Sequence, residues 1–280
     1  MLVWRKLSSA KWEDAWLERL SFVDPQRIVI SAFSGARTIR IEVYDLSKKD
    51  AEKLRTRFGG QVREWKKRDF VAENSAPRAP LKIRNRLLVV RSEEEKVKHG
   101  FELRNGNVLV IPAEMAFGTG DHATTATCLR LLCDLAATQT APWEMLDLGT
   151  GTGILALAAR LLGAARADAF DFDPACVRVT RANAVLNKIK LHAIRRVDVT
   201  RWAPVRRWHV VTANLYSEIL TRAAPQIVRA LAPGGTLIFS GIMRAQEADC
   251  VRAFRAEGLR IDTISRRGKW VTGLARKAAR

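Results

Sequence analysis

Asp147-Leu148-Gly149-Thr150-Gly151-Thr152-Gly153 leaves an apolar run and enters a helical one, and Asp171 closes the next apolar run. Glycines at a strand-to-helix turn let the backbone approach a ligand closely, and an acid after the second strand can accept both hydroxyls of a ribose. This spacing therefore supports binding of a nucleoside-containing ligand. A dinucleotide loop has the spacing GxGxxG, and the sixth position counted from Gly149 is Ile154. Upstream, AFGTGDHATTATCLRLL carries the loop Phe117 to Gly120, then His122 and the pair Thr124-Thr125 at a helix start. Downstream, VVTAN ends an apolar strand in Asn214, whose amide oxygen can accept the hydrogens of an amine without acting as a strong base.

The elements that position these residues follow from periodicity. From residue 121, TTATCLRLLCDLAA, TGILALAARLLG, PACVRVTRANAVLN and SEILTRAAPQIVRALA read as helices. EMLDL, ADAFDFD, HVVTANL and GGTLIFSGI read as the strands between them. Such alternation builds a parallel sheet with helices on both faces, and ligands bind beyond the carboxyl ends of its strands. The first seventy residues follow a different order, β-α-β-β-α-β, the ferredoxin-like pattern. Trp12, Trp16 and Leu20 mark one face of the first helix, with Trp12 and Trp16 expected in the core, and Ser47 caps the second. Pro77, Pro80, Asn74 and Ser75 give the following segment a linker composition. Beyond it, NRLLVV and NVLVIP read as strands around RSEEEKVKH, a charge run expected to be a solvated loop.

The GxGxG spacing with its preceding acid resembles class I S-adenosyl-L-methionine (SAM) methyltransferases. AFGTGDHATT, DLGTGTGILALAA, DFDPACVRVTRANAVLN, VVTANLYSEIL and LAPGGTLIFSGI together resemble the ribosomal protein methyltransferase family PrmA over about residues 110 to 275. The resemblance implies SAM as cofactor and amino groups of the eleventh large-subunit ribosomal protein as acceptors. It implies Thr125, Gly149, Gly151, Asp171 and Asn214 as cofactor contacts, with Asn214 also orienting the amine. The expected fold is α/β, a doubly wound, mostly parallel seven-stranded sheet with a small ferredoxin-like α+β amino-terminal domain. The expected domains are a substrate-recognition domain at 1–75, a linker with connecting strands at 76–112, and the methyltransferase domain at 113–280. Three departures from the family pattern stand out. Ala123 replaces a proline after His122, Leu215-Tyr216-Ser217 replaces Ile-Leu-Ala after Asn214, and only Trp65 and Phe70 trace the tryptophan-rich linker.

Composition narrows the alternatives. An apolar share of 48% with 28% charged residues describes a globular chain with a core, not a disordered one. Four scattered cysteines form no CxxC pair, none of the four histidines pairs with a cysteine at zinc spacing, and no metal is expected. The cysteines fit a reducing cytoplasm, and no segment is long and apolar enough to suggest a signal peptide or a membrane span. The net charge of +19 is uneven: residues 101–177 carry 4 basic and 9 acidic side chains, and residues 178–280 carry 21 and 6. An acidic middle suits a cationic sulfonium. Residues 178–207 hold nine basic side chains and one acid, a solvated surface or a contact for ribosomal RNA. A basic ribosomal protein would be repelled by such a surface, so a related methyltransferase acting on another protein or on RNA is one alternative. A non-catalytic RNA-binding module is the other, disfavoured by the full set of cofactor positions.

Overall fold

The computed structural model describes residues 2–9, 12–20, 22–23, 27–32, 38–64, 80–99, 106–112 and 122–279. The chain divides into two compact units, Met1–Ala76 and Pro77–Arg280.

The first unit runs β1 (Leu2–Ser9), α1 (Glu13–Arg19), β2 (Ile28–Ala32), β3 (Thr38–Leu46), α2 (Lys48–Phe58) and β4 (Gln61–Glu64). Its strands pair antiparallel in the order β2-β3-β1-β4. Ile39, Ile41 and Val43 alternate along β3 and form one core cluster with Trp4, Trp16, Leu20 and Leu54. The Ser47 hydroxyl caps α2 by accepting the Asp50 N–H at 3.1 Å. Trp16 is 4% exposed, as expected of a core residue, whereas Trp12 is 48% exposed. Trp12 is the residue ahead of the first helical turn, with non-helical φ and ψ, so the helical period does not carry it onto the buried stripe.

In the second unit, β5 (Leu81–Ile83), β6 (Leu87–Val90) and β7 (Val108–Val110) form a three-stranded sheet. Ile83, Leu87, Val89 and Leu109 share a core with Leu129 and Leu132 of α4 (Ala123–Ala137). Between β6 and β7, Glu93–His99 is a helix, α3, and not the loop expected from its charge. Its three glutamates sit in the first turn and Lys96, Lys98 and His99 in the last, so each sign meets the favourable end of the helix dipole. The Ser92 hydroxyl accepts the Glu95 N–H at 3.2 Å and completes the cap.

The remaining strands are β8 (Glu144–Leu148), β9 (Arg166–Asp171), β10 (Ala193–Arg196), β11 (Trp208–Asn214), β12 (Leu231–Met243), β13 (Leu259–Arg267) and β14 (Trp270–Lys277). They form one seven-stranded sheet in the order β10-β9-β8-β11-β12-β14-β13. The pairs from β10 to β12 are parallel, and β14 lies antiparallel to both neighbours. This is the doubly wound, mostly parallel sheet expected from the sequence. Helices α5 (Ile154–Leu161), α6 (Pro174–Leu186), α7 (Ser217–Arg222), α8 (Ala224–Ala230) and α9 (Glu247–Ala256) complete the unit. The segment expected as one helix from Ser217 breaks at Ala223, because Pro225 has no N–H and its ring excludes a continuous turn. From β8 the chain steps outward through β9 and β10, then crosses to β11 on the other side of β8. In doubly wound sheets such a reversal is where ligands bind, beyond the carboxyl ends of the two strands, here β8 and β11.

The core of the first unit is independently testable. Trp4 is fully buried and its indole N–H donates to the Gly59 carbonyl at 2.7 Å. Trp4→Ala is expected to destabilise this unit by about 3–5 kcal/mol. Hydrogen exchange followed by mass spectrometry should then show faster exchange through β1–β4 and unchanged protection in β8 and β11.

Candidate active site

The glycine loop after β8 is held from three sides. Gly149, Gly151 and Gly153 have φ of +70°, +56° and +84°, conformations that favour glycine. The Gly149 N–H donates to the Phe170 carbonyl at 2.9 Å, and the Gly151 N–H donates to Asp171 Oδ2 at 2.9 Å. From α6, the Thr180 hydroxyl donates to the Gly151 carbonyl at 3.0 Å and Asn183 Nδ2 to the Thr152 carbonyl at 2.9 Å. Leu215, the residue after β11, lies over Gly149, where an added Cβ would stand 2.2 Å from its Cδ2. Leu215, the first departure from the family pattern after Asn214, thus packs directly on the loop.

Asp171 ends β9 with each carboxylate oxygen taking one backbone N–H, from Gly151 and from Asp173, both at 2.9 Å. A carboxylate offers about four lone-pair sites, so acceptor capacity remains for a pair of hydroxyls.

Asp147 is 1% exposed, and its two oxygens are taken by hydroxyls of different elements. Thr150 of the loop donates at 2.7 Å and Thr212 of β11 at 2.5 Å. Burial pushes the Asp147 carboxyl up to about 6, against the lowering effect of these two hydroxyls, and the nearby Asp171 adds to the rise. The strand register places Thr212 directly beside Asp147, so this carboxylate ties β11 to the loop at the point where the strand order reverses.

Asn214, two residues beyond Thr212, reaches the end of β11. Its Nδ2 donates to Thr124 Oγ1 at 3.3 Å and to Thr125 Oγ1 at 3.4 Å, and both threonines are buried. Its Oδ1 is buried with no hydrogen-bond partner among the described residues. His122 caps α4, with Nδ1 2.7 Å from the Thr124 hydroxyl and 3.4 Å from the Thr124 backbone nitrogen. Its ring packs edge-on against Trp270 at 4.7 Å between centroids. Burial first, and then Lys269, pushes its pKa down to about 4.

The structure thus pairs Thr125 with Asn214 and Gly151 with Asp171, and sets Gly149 between them under Leu215. The loop Phe117 to Gly120, and Trp65 and Phe70, lie outside the described residues. Sequence reasoning missed Thr150, Thr180, Asn183 and Thr212. Thr212 was detectable, because residues 212 and 214 share a face of a strand.

A family model described as "Ribosomal protein L11 methyltransferase (PrmA)" matches residues 4–278. The chain belongs to this family. A ribosomal protein L11 methyltransferase of Heliobacterium modesticaldum is 36% identical over 200 residues, covering 71% of this chain and 61% of the relative. One of Pelobacter propionicus is 38% identical over 205 residues, covering 72% and 64%. The matched stretch therefore spans less than two thirds of either relative's length. Among solved structures, a ribosomal protein L11 methylase of Lactobacillus delbrueckii subsp. bulgaricus is 28% identical with a TM-score of 0.63, covering 71% of this chain and 100% of that one. The second unit has the class I methyltransferase fold.

The Asp147 tie has a pH signature. Its native pKa lies above its ordinary value of 3.8, so its contribution favours folding below that pH and is lost as pH rises through about 6. Asn at this position does not titrate. The melting temperature of Asp147→Asn relative to wild type should therefore climb between about pH 4 and pH 7. Thermal melts followed by circular dichroism at both ends of that range check the sign.

Proposed function

We propose that the chain is an enzyme that transfers methyl groups from S-adenosyl-L-methionine to lysine or amino-terminal amines of ribosomal protein L11. The observation that carries this reading is Asn214 Oδ1, a buried acceptor with no hydrogen-bond partner among the described residues, at the end of the strand next to the one that leads into the glycine loop. An unpaired buried acceptor is costly, and an amine N–H is one of the donors that relieve it.

The residues fit the cofactor. Asp171 has acceptor capacity for ribose hydroxyls, Gly149 and Gly151 lack side chains that would bar backbone approach, and Thr125 is hydrogen-bonded to Asn214 at the end of β11. SAM supplies an electrophilic methyl group when bound. The chain's own residues work on the amine. A free lysine has a pKa near about 10.4 and is not a nucleophile while protonated. Burial in the site lowers that pKa, and Asn214 Oδ1 accepts an N–H so that the lone pair faces the methyl. Asn214 is not a strong base, and the proton leaves to water. The sequence NLYS also lacks the paired prolines of the amide and adenine amino methyltransferases.

The domain roles follow the same reading: the unit Met1–Ala76 holds the protein substrate, and Pro77–Arg280 holds the cofactor. The basic stretch 178–207 is read as a contact for ribosomal RNA beside that substrate. Arg178, Lys188, Lys190, Arg195 and Arg207 are exposed there with no carboxylate partner among the described residues. Among the described residues, no helix is long and apolar enough to cross a membrane. An enzyme acting on a ribosomal protein works in the cytoplasm.

Incubation with SAM and purified ribosomal protein L11, followed by mass spectrometry, tests the reading directly. Whole-methyl mass increments on L11 are expected. Increments only on another ribosomal protein or on RNA would favour a different acceptor, and SAM binding without transfer would favour the binding module. Asp171→Ala should lower SAM affinity by at least about tenfold in calorimetric titration, the effect of losing a charge-assisted hydrogen-bond pair.

A further inference from the structure

We propose that His122 is a positioning residue that acts through Thr124 to fix which way the Asn214 amide faces. The inference rests on the reading of Asn214 Oδ1 as the acceptor of the substrate amine.

An asparagine amide has two nearly isosteric ends, one donor and one acceptor, and only its hydrogen-bond partners decide between them. The hydroxyl of Thr124, 3.3 Å from the Asn214 nitrogen, could in principle serve either end. His122 removes that freedom. The Thr124 backbone N–H, which can only donate, points at His122 Nδ1 from 3.4 Å, so Nδ1 carries a lone pair. The Thr124 hydroxyl lies 2.7 Å from the same nitrogen and must give its single hydrogen to it. Thr124 Oγ1 is then left with lone pairs alone, and it accepts from Asn214.

The amide nitrogen must face Thr124, and Oδ1 is turned the other way, where it is buried without a partner among the described residues. Reversing the amide would set two lone pairs against each other in a buried place, a loss of a hydrogen bond and a repulsion together. The chain of polarity runs from Asn214 Nδ2 through the Thr124 hydroxyl to His122 Nδ1. It holds while the imidazole is neutral, which its burial and the Lys269 ammonium ensure, and the Trp270 ring fixes the imidazole plane. In this arrangement His122 decides the orientation of the group that meets the amine.

The test compares single-turnover methyl transfer from labelled SAM to ribosomal protein L11 in six full-length variants, with SAM affinity measured in parallel. His122→Ala and Thr124→Val each remove the polarity relay, and Thr124→Val keeps the histidine cap on α4 intact. Both are expected to slow transfer at least about tenfold while SAM affinity moves by less than about threefold. His122→Asn restores an acceptor at the cap and Thr124→Ser restores the hydroxyl, and each should recover most of the loss. In an Asn214→Ala background, adding His122→Ala should slow transfer by less than about twofold more, because residues acting in one chain are not additive. Transfer at the wild-type rate in His122→Ala and Thr124→Val, with Asn214→Ala slow, overturns the role of His122 alone. Full additivity of His122→Ala with Asn214→Ala overturns it as well. Wild-type transfer by Asn214→Ala overturns the reading of Asn214 on which the inference stands.

Discussion

A carboxylate with almost no exposure sits at the centre of the parallel sheet, and the site is built around keeping it there. Burying a charge is expensive unless donors offset the lost water, and each oxygen of Asp147 has one, a hydroxyl from the glycine loop and a hydroxyl from β11. Those two bonds join the elements that must meet at the site. Thr150 draws in the loop whose Gly151 N–H is held by Asp171, and Thr212 sets the strand that carries Asn214. Shifting β11 by one residue would turn Asn214 to the opposite face and leave Asp147 short of a donor. Site geometry and strand register are therefore held by the same interaction.

The loop is fixed a second time from behind. Thr180 and Asn183, three apart on α6, reach two of its carbonyls, and Leu215 covers Gly149 from above. Gly153 is confined by Thr180, where an added Cβ would come within 2.9 Å of the methyl group. A loop pinned at its N–H groups and its carbonyls keeps one backbone shape before a ligand arrives. Such preorganisation lets contacts contribute to affinity without an ordering penalty.

Much of this was legible from residue types and periods. The glycine spacing, the acid at the end of β9 and the asparagine at the end of β11 are each marked by their place after an apolar run. The strands that carry them also alternate with helices in a way only a parallel sheet satisfies. Less legible were features decided by neighbours distant in sequence. The donors for Asp147 come from residues 3 and 65 positions away, and although the strand period puts Thr212 on the face of Asn214, only the pairing of β11 with β8 makes it a donor to Asp147. The charge run at 93–99 looked like a loop because it has no apolar face, yet its charges are ordered along the helix dipole. Trp12 showed the reverse: helical spacing suggested burial, but the helix begins one residue after it. The edge strand β10 has two arginines among four residues and lacks the apolar alternation that identifies a strand from sequence.

Under the proposed function, the chemistry is alignment without proton abstraction. Asn214 offers a buried amide oxygen, and His122, the nearest imidazole in the network, is held neutral with Nδ1 occupied by Thr124. The most direct measurement is the pH–rate profile of single-turnover methyl transfer to ribosomal protein L11, for wild type and Asn214→Ala. Alignment of a neutral amine predicts a single ascending limb, set by the amine and displaced below its ordinary value of about 10.4. Asn214→Ala should lower the plateau of that limb by at least about tenfold. A bell-shaped profile, or a plateau of equal height in the variant, would contradict it.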